Sequence, residues 1–257
     1  MLNLVAFEIF GFPIRWYGIF ISCAVIIGAY LALKEGKRVG IDEDTLIDLF
    51  IFAVPISAIG ARIYYVIFSW YYYKDHLREI FNFRGGGLAI HGFMINCLYF
   101  GTIIAAVLVA IIFCRKRKLS FWKITDICAP SIILGQSIGR WGNFANQEAH
   151  GGPTNLPWGI IINGQKVHPT FLYESIWDLA VFFFLLWYRR NKEETVGETF
   201  LLYLALYSVG RFWIEGLRTD SLMLGNIRVA QLVSVITVIG VAIIFRYRRK
   251  NVDMKYM

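Results

Sequence analysis

Seven apolar blocks, each near the length of a membrane-crossing helix, constrain this chain more than any other feature. They lie at roughly 16–33, 47–68, 88–113, 123–143, 171–188, 197–213 and 228–245. About 20 mostly apolar residues suffice for a helix to cross a bilayer core. Hydrophobic residues make up 57% of the chain, against about 45–50% in a soluble domain. The blocks predict an all-α integral membrane protein with seven transmembrane helices. At this length they predict one multi-pass domain over residues 1–257.

The formal charge of +8 does not point to nucleic acid, because the charges fall in short clusters between apolar blocks. There they read as topology signals and contacts for anionic membrane lipids. One alternating set of loops holds sixteen Lys and Arg, from Lys34, Lys37 and Arg38 to the run beginning at Arg246. The opposite set holds seven. Basic loops stay cytoplasmic, so the N-terminus is expected outside and the C-terminus in the cytoplasm.

The outer loops carry the local structure. Trp70, Tyr71, Tyr72 and Tyr73 suit an interfacial aromatic belt. Asn163-Gly164 lies between β-prone runs and predicts a type I′ β-hairpin in a small extracytoplasmic head. Cys23, Cys97, Cys114 and Cys128 are scattered without metal or redox spacing, which predicts free thiols. Glu8 stands where a basic leader segment would begin, so no cleavable signal peptide is expected. No internal repeat of the transporter kind is visible.

Several polar residues sit where lipid-facing helix would not choose them. The stretch 135–148, GQSIGRWGNFANQE, begins as apolar spanning sequence and ends in Arg140, Asn143, Asn146, Gln147 and Glu148. Arg62 and Arg211 also fall inside apolar blocks. A charge at the membrane centre costs at least ~2.5–3.5 kcal/mol on insertion scales. Two explanations fit: snorkelling or an interhelical ion pair on one side, a bound anion on the other. Arg62, in Gly60-Ala61-Arg62, reads most simply as a packing notch with a paired arginine. Arg140, Asn143 and Gln147 are spaced i, i+3, i+7; Tyr207, Arg211, Glu215 and Arg218 are spaced i, i+4, i+8, i+11. Continuous helices would put each set on one face. Guanidinium groups match phosphate oxygens in bidentate fashion, and a lipid phosphate at headgroup depth has the right charge and location. His91 follows a triple glycine near the start of the third block. It is either a structural histidine or a base usable near neutral pH. His76 and His150 read as surface residues. His168 leads into Tyr173-Glu174, where Glu174 either complements a helix N-terminus or joins the polar site.

Together these stretches resemble the prolipoprotein diacylglyceryl transferase family. The matching segments are RWYG at 15–18, GARIY at 60–64, GGLAIHG at 86–92, GRWGNFANQE at 139–148, HPTFLYE at 168–174 and RFWIEGLR at 211–218. The fourth resembles the family signature. After His91 this chain reads Gly92-Phe-Met-Ile-Asn-Cys97, where the family commonly has a glycine-rich run. The resemblance implies a bacterial plasma-membrane enzyme with its active side outward. Such an enzyme moves the diacylglyceryl group of phosphatidylglycerol to the lipobox cysteine of a prolipoprotein signal peptide, with no metal or organic cofactor. By the same resemblance His91, Arg211 and Tyr207 are catalytic. Arg140, Asn143, Asn146, Tyr17, Glu148, Glu174 and Glu215 serve substrate binding.

Three rivals remain on the residues alone. A phospholipid transporter or flippase with an arginine-lined headgroup site would need a through-path or repeat symmetry. A metal-dependent headgroup transferase would need clustered aspartates, and Asp126 and Asp178 stand singly. A membrane scaffold would leave the polar faces unexplained. Whether His91 or an arginine-rich field activates the thiol stays open.

Overall fold

The computed structural model describes residues 4–9, 12–81, 95–162, 164–193, 195–219 and 221–256. Among these are seven helices of 18 to 28 residues: α1 (Trp16–Arg38), α2 (Glu43–Phe68), α4 (Ile95–Arg117), α5 (Phe121–Ala145), α6 (Thr170–Asn191), α7 (Glu198–Glu215) and α8 (Val229–Tyr256). A short helix, α3 (Trp70–Tyr73), and a 3-10 turn (Leu77–Phe81) follow α2. Several long helices run past their apolar blocks into the basic clusters. The last turns of α1, α4 and α6 hold Lys37 and Arg38, Arg115 to Arg117, and Arg189 and Arg190. Cations there complement the negative helix end.

Among the described residues four helices are long and apolar enough to cross a membrane: α1, α2, α6 and residues Val229–Lys250 of α8. Ile26, Phe183, Ile236 and Ile243 stand exposed on them, as lipid-facing side chains would. Site residues dilute the apolar character of α5 and α7, with Gln136, Ser137 and Arg140 on α5 and Arg211 and Glu215 on α7.

Among the described residues six short strands form three separate antiparallel hairpins. They are β1 (Val5–Ile9) with β2 (Phe12–Arg15), β3 (Ile160–Ile162) with β4 (Gln165–Val167), and β5 (Met223–Leu224) with β6 (Ile227–Arg228). The middle one is the expected hairpin. Ile162 pairs with Gln165, so two residues make the turn, and Gly164 has the left-handed φ of +79° such a turn demands. Asn163 lies outside the described residues. The other two hairpins were not expected. In β5–β6 the signal was present as Gly225-Asn226, with Gly225 at φ +61°.

The chain forms two compact units, Met1–Glu35 with Trp122–Met257, and Gly36–Phe121. In the second, α2 and α4 cross almost backbone to backbone. A Cβ at Gly101 would lie 2.8 Å from the Gly60 carbonyl oxygen and 3.1 Å from the Ala61 Cα. Here Gly60 does form the expected notch. Arg62 donates from Nε to the Ile80 carbonyl at 3.1 Å and lies over the Tyr65 and Tyr73 rings. Tyr73 is therefore buried against its own unit, while Trp70, Tyr71 and Tyr72 stay exposed, so three of the four aromatics suit an interfacial belt.

In the first unit, α1 packs antiparallel on α5 through small residues. Gly28 meets Ser131, Gly135 meets Ala24, and Gly142 meets Tyr17. The core joins α5, α6 and α7 through Ala129, Ile133, Val181, Phe182, Leu185 and Tyr203. At the end carrying the basic clusters, Asp126 of α5 accepts from Gly197 N and from Phe200 N, the latter at 2.8 Å. It thereby satisfies donors that the α7 N-terminus would otherwise leave unpaired. Buried Glu198 takes hydrogen bonds from Tyr188, Thr195 and Arg249. Cys23, Cys114 and Cys128 are free thiols, as expected; the Cys97 side chain lies outside the described residues.

Backbone on the far side of the Gly60–Gly101 crossing leaves nothing that can yield. Gly101→Leu is expected to destabilise the protein by about 1–3 kcal/mol, read as a lowered unfolding midpoint in detergent, while Gly240→Ala, within α8 with nothing within 4 Å, changes it less.

Candidate active site

Arg140 lies near the end of α5 and Glu174 in the first turns of α6. Tyr207, Arg211 and Glu215 follow each other at four-residue spacing on α7. The three helices meet at Glu174. Its Oε2 lies 2.7 Å from Arg140 Nε and its Oε1 2.6 Å from Arg211 Nη1. Arg218 Nη1 stands 3.9 Å from the same Oε1. Arg211 Nη2 is 2.6 Å from Glu215 Oε2, a close charge contact without hydrogen-bond alignment. Arg140 Nη2 donates to the Tyr207 hydroxyl at 3.3 Å. Glu174 and Glu215 are 4% and 2% exposed, and in such surroundings a carboxylate persists only when paired. The interhelical ion pair foreseen as one explanation of the arginines is thus present. Glu174 belongs to the polar site, beyond any effect on its own helix end.

The chain beyond α5 sets this geometry. Helix ends at Ala145, and Gln147 and Ala149 take left-handed φ values of +55° and +57°. Gln147 therefore does not continue the face of Arg140 and Asn143, which corrects the spacing argument. The next segment is pinned on both sides. Thr170 Oγ1 donates to the Ala149 carbonyl, Gly151 N to the His168 carbonyl at 2.9 Å, and Gly152 N to the Leu217 carbonyl at 3.0 Å. A Cβ at Gly151 would lie 2.6 Å from the His168 Cβ. Only glycine fits there, a requirement the sequence reading missed. Likewise α7 stops at Glu215, so Arg218 is not on its helical face. It reaches Glu174 because its backbone bridges to Gly151.

The remaining expected site residues divide. Tyr17 packs on Gly142, with its ring carbon 2.7 Å from where a Cβ would be, within electrostatic reach of Glu148 and Arg140. Asn146 Nδ2 donates to Glu148 Oε1 at 3.2 Å. Asn143 is half-buried and its carbonyl accepts from Glu148 N. His91 lies outside the described residues. His76 and His150 keep local contacts to the Tyr72 and Gly151 carbonyls, and His168 sits beside the Tyr173 hydroxyl at 3.4 Å.

Other residues were passed over. Ser137 and Ser175 exchange hydrogen bonds between α5 and α6, and Trp141 Nε1 donates to Ser175 Oγ at 3.1 Å. Small polar residues within apolar helices were the signal. Asp178, one turn along α6 from Glu174, is 2% exposed and within electrostatic reach of Arg140, Glu174 and Arg211. An open apolar groove of about 610 Å³ runs beside the serine pair, between α1, α5 and α6, lined by Phe20, Leu134, Ile138, Trp141, Leu172 and Leu179. Among the described residues no group of three or more His, Cys, Asp or Glu side chains is arranged to hold a metal.

Apolar helices around a buried arginine–carboxylate cluster, with an apolar groove between α1, α5 and α6, define a helical membrane protein. The chain belongs to the prolipoprotein diacylglyceryl transferase family, whose model matches residues 4–247. It is 52% identical over 250 residues, 97% of each chain, to the phosphatidylglycerol–prolipoprotein diacylglyceryl transferase of Clostridioides difficile (strain 630). The enzymes of the same name from Finegoldia magna and Geobacillus kaustophilus are 49% and 52% identical. Those alignments cover 97% of both chains in the first case, and 93% of this chain and 89% of the relative in the second.

Removing the Glu174 charge leaves Arg140 and Arg211 buried without their shared counter-ion. Glu174→Gln is expected to cost about 3–5 kcal/mol of stability, seen as a lower unfolding midpoint in mixed micelles; a midpoint equal to that of the unaltered protein would deny Glu174 this role.

Proposed function

We propose that this protein transfers the diacylglyceryl group of phosphatidylglycerol to the lipobox cysteine thiol of a prolipoprotein signal peptide, forming a thioether and releasing glycerol phosphate. The observation that carries this reading is the family match over residues 4–247, and the site's chemistry suits it. In the proposed arrangement one multi-pass domain of seven spans lies in the bacterial plasma membrane. Its N-terminus is outside, its C-terminus cytoplasmic, and the arginine site faces the extracytoplasmic side. The loop charges support that orientation.

The reaction displaces a phosphate ester at carbon. The cysteine sulfur attacks the glyceryl carbon attached to phosphate. A C–S bond forms as the C–O bond breaks, and the electron pair leaves on the phosphate oxygen. A thiol is only a few per cent thiolate at pH 7. His91 takes the thiol proton, directly or through water, and the arginines' field favours the thiolate. Arg140 and Arg211 stabilise the charge gathering on the leaving phosphate, where exclusion of water makes fixed charges most effective. Glu174 and Glu215 hold the two guanidinium groups at fixed positions. Tyr207, Asn143 and Asn146 orient the headgroup, with Tyr17 and Glu148 at its rim. The groove lined by Phe20, Leu134 and Trp141 takes an acyl chain of the lipid.

The deciding experiment is a transfer assay with purified protein, labelled phosphatidylglycerol and a lipobox peptide, read as thioether product. Arg140→Ala is expected to lose about 100-fold or more of the rate, and full retained activity would remove the phosphate-clamp role. His91→Gln is expected to lose about 10²–10⁴-fold; near-normal transfer across neutral pH would leave thiol activation to the arginines.

A further inference from the structure

The polar face of α5 does not run outward to Gln147. It runs inward. Gln136, Arg140 and Asn143 are spaced i, i+4 and i+7 within the continuous helix Phe121–Ala145, so they share one face. Gly139, three residues after Gln136, lies on that face as well. Among the described residues, a Cβ at Gly139 would meet only Ile21 Cδ1, at 3.5 Å. The face therefore carries polar side chains at both ends and none between them.

Helix α7 meets this face with matching spacing. Arg140 Nη2 donates to the Tyr207 hydroxyl at 3.3 Å. Four residues earlier on both helices, the Tyr203 hydroxyl donates to Gln136 Oε1, also at 3.3 Å. Tyr203 is buried and Gln136 half-buried. An amide inside an apolar span is unfavourable unless its polar atoms are matched. Tyr203 occupies the amide oxygen and so fixes which way the group is turned. The amide also carries two N–H donors, and an ester carbonyl needs one.

The two rungs differ in depth. At 1.5 Å per residue, Gln136 lies about 6 Å further toward the membrane interior than Arg140. A phospholipid changes its chemistry over the same interval, from phosphate through glycerol to the acyl ester carbonyls. With the phosphate at Arg140 and Asn143, the glyceryl carbon that the sulfur attacks comes over Gly139. An ester carbonyl then comes level with Gln136.

We propose that Gln136 donates a hydrogen bond from its side-chain amide to an acyl ester carbonyl of the bound phosphatidylglycerol, and so selects ester-linked lipid. The lipid is held on both sides of the attacked carbon, which orients the C–O bond for displacement. Tyr203 is a positioning residue for the amide. The proposal rests on the proposed function, which supplies the lipid and its orientation.

The test compares two lipids. Purified full-length protein is assayed with a lipobox peptide and either phosphatidylglycerol or its dialkyl ether analogue, which keeps the headgroup and chain length and lacks the ester carbonyls. The unaltered protein is expected to favour the ester lipid by about 3- to 10-fold in kcat/KM, the worth of one neutral hydrogen bond. Gln136→Met is expected to lose that factor with the ester lipid and nothing with the ether lipid. A hydrogen bond that only ties α5 to α7 would slow both lipids alike. A second measurement needs no variant. In phosphatidylcholine vesicles holding the unaltered protein and equimolar phosphatidylglycerol, solid-state NMR is expected to place a ¹³C-labelled ester carbonyl within roughly 4 Å of a ¹⁵N-labelled glutamine side-chain nitrogen, as a hydrogen bond requires. Equal rates for the two lipids, equal losses in Gln136→Met, or no carbon–nitrogen proximity overturns the proposal and leaves the transferase reading intact. An unaltered protein that transfers from neither lipid overturns both.

Discussion

One carboxylate shared by two arginines holds this site together. Glu174 offers one oxygen to Arg140 and the other to Arg211, and each partner comes from a different helix. Desolvating three charged groups is unfavourable unless the geometry is close and both oxygens are used, and here both are. The requirement fixes the depth at which α5, α6 and α7 stand relative to one another. The Ser137–Ser175 exchange adds a second tie between α5 and α6. Gly151 allows the following loop to lie close enough for Arg218 to approach.

The opposite end of the same helices is tied by different means. Asp126 reaches from α5 to the first residues of α7, and Glu198 gathers Tyr188, Thr195 and Arg249 around α6, α7 and α8. Arg189 pairs with Glu35 of α1 at 3.1 Å. The arginine site therefore rests on helices fastened at both ends, which suits fixed charges that must not reorganise during a reaction.

Much of the architecture was legible because apolar length is a strong signal. Each predicted block contains a long helix among the described residues, residues 88–94 of the third lying outside them, and α1, α4 and α6 run on past their blocks into basic residues. The site was legible only in part. Residues at four-residue spacing within α7 were correctly grouped, but sequence spacing carries no mark of where a helix stops. Gln147 and Arg218 were thus assigned to faces that do not extend to them. Asp126 and Asp178 were set aside as isolated acids, since isolation in sequence says nothing about partners contributed by other helices. Asp126 proved to cap α7, and Asp178 to be buried within electrostatic reach of the arginines. Gly151 was invisible for a related reason: its need for a missing side chain comes from His168 and Leu217, contributed by distant stretches. His91, which the family resemblance singles out, lies outside the described residues, and its role stands on resemblance alone.

The short link between α6 and α7 has a bearing on biogenesis. Released into lipid alone, α7 would present Arg211 and Glu215, and a single arginine at mid-membrane costs about 2.5–3.5 kcal/mol on insertion scales. Its partner Glu174 lies on the helix synthesised just before it. Only a few residues separate the two helices, from Lys192 to Gly197. Leaving the insertion machinery as a helical hairpin lets α6 neutralise α7 during entry, before α8 exists. The contact that shapes the finished site is also the one that makes α7 acceptable to the bilayer.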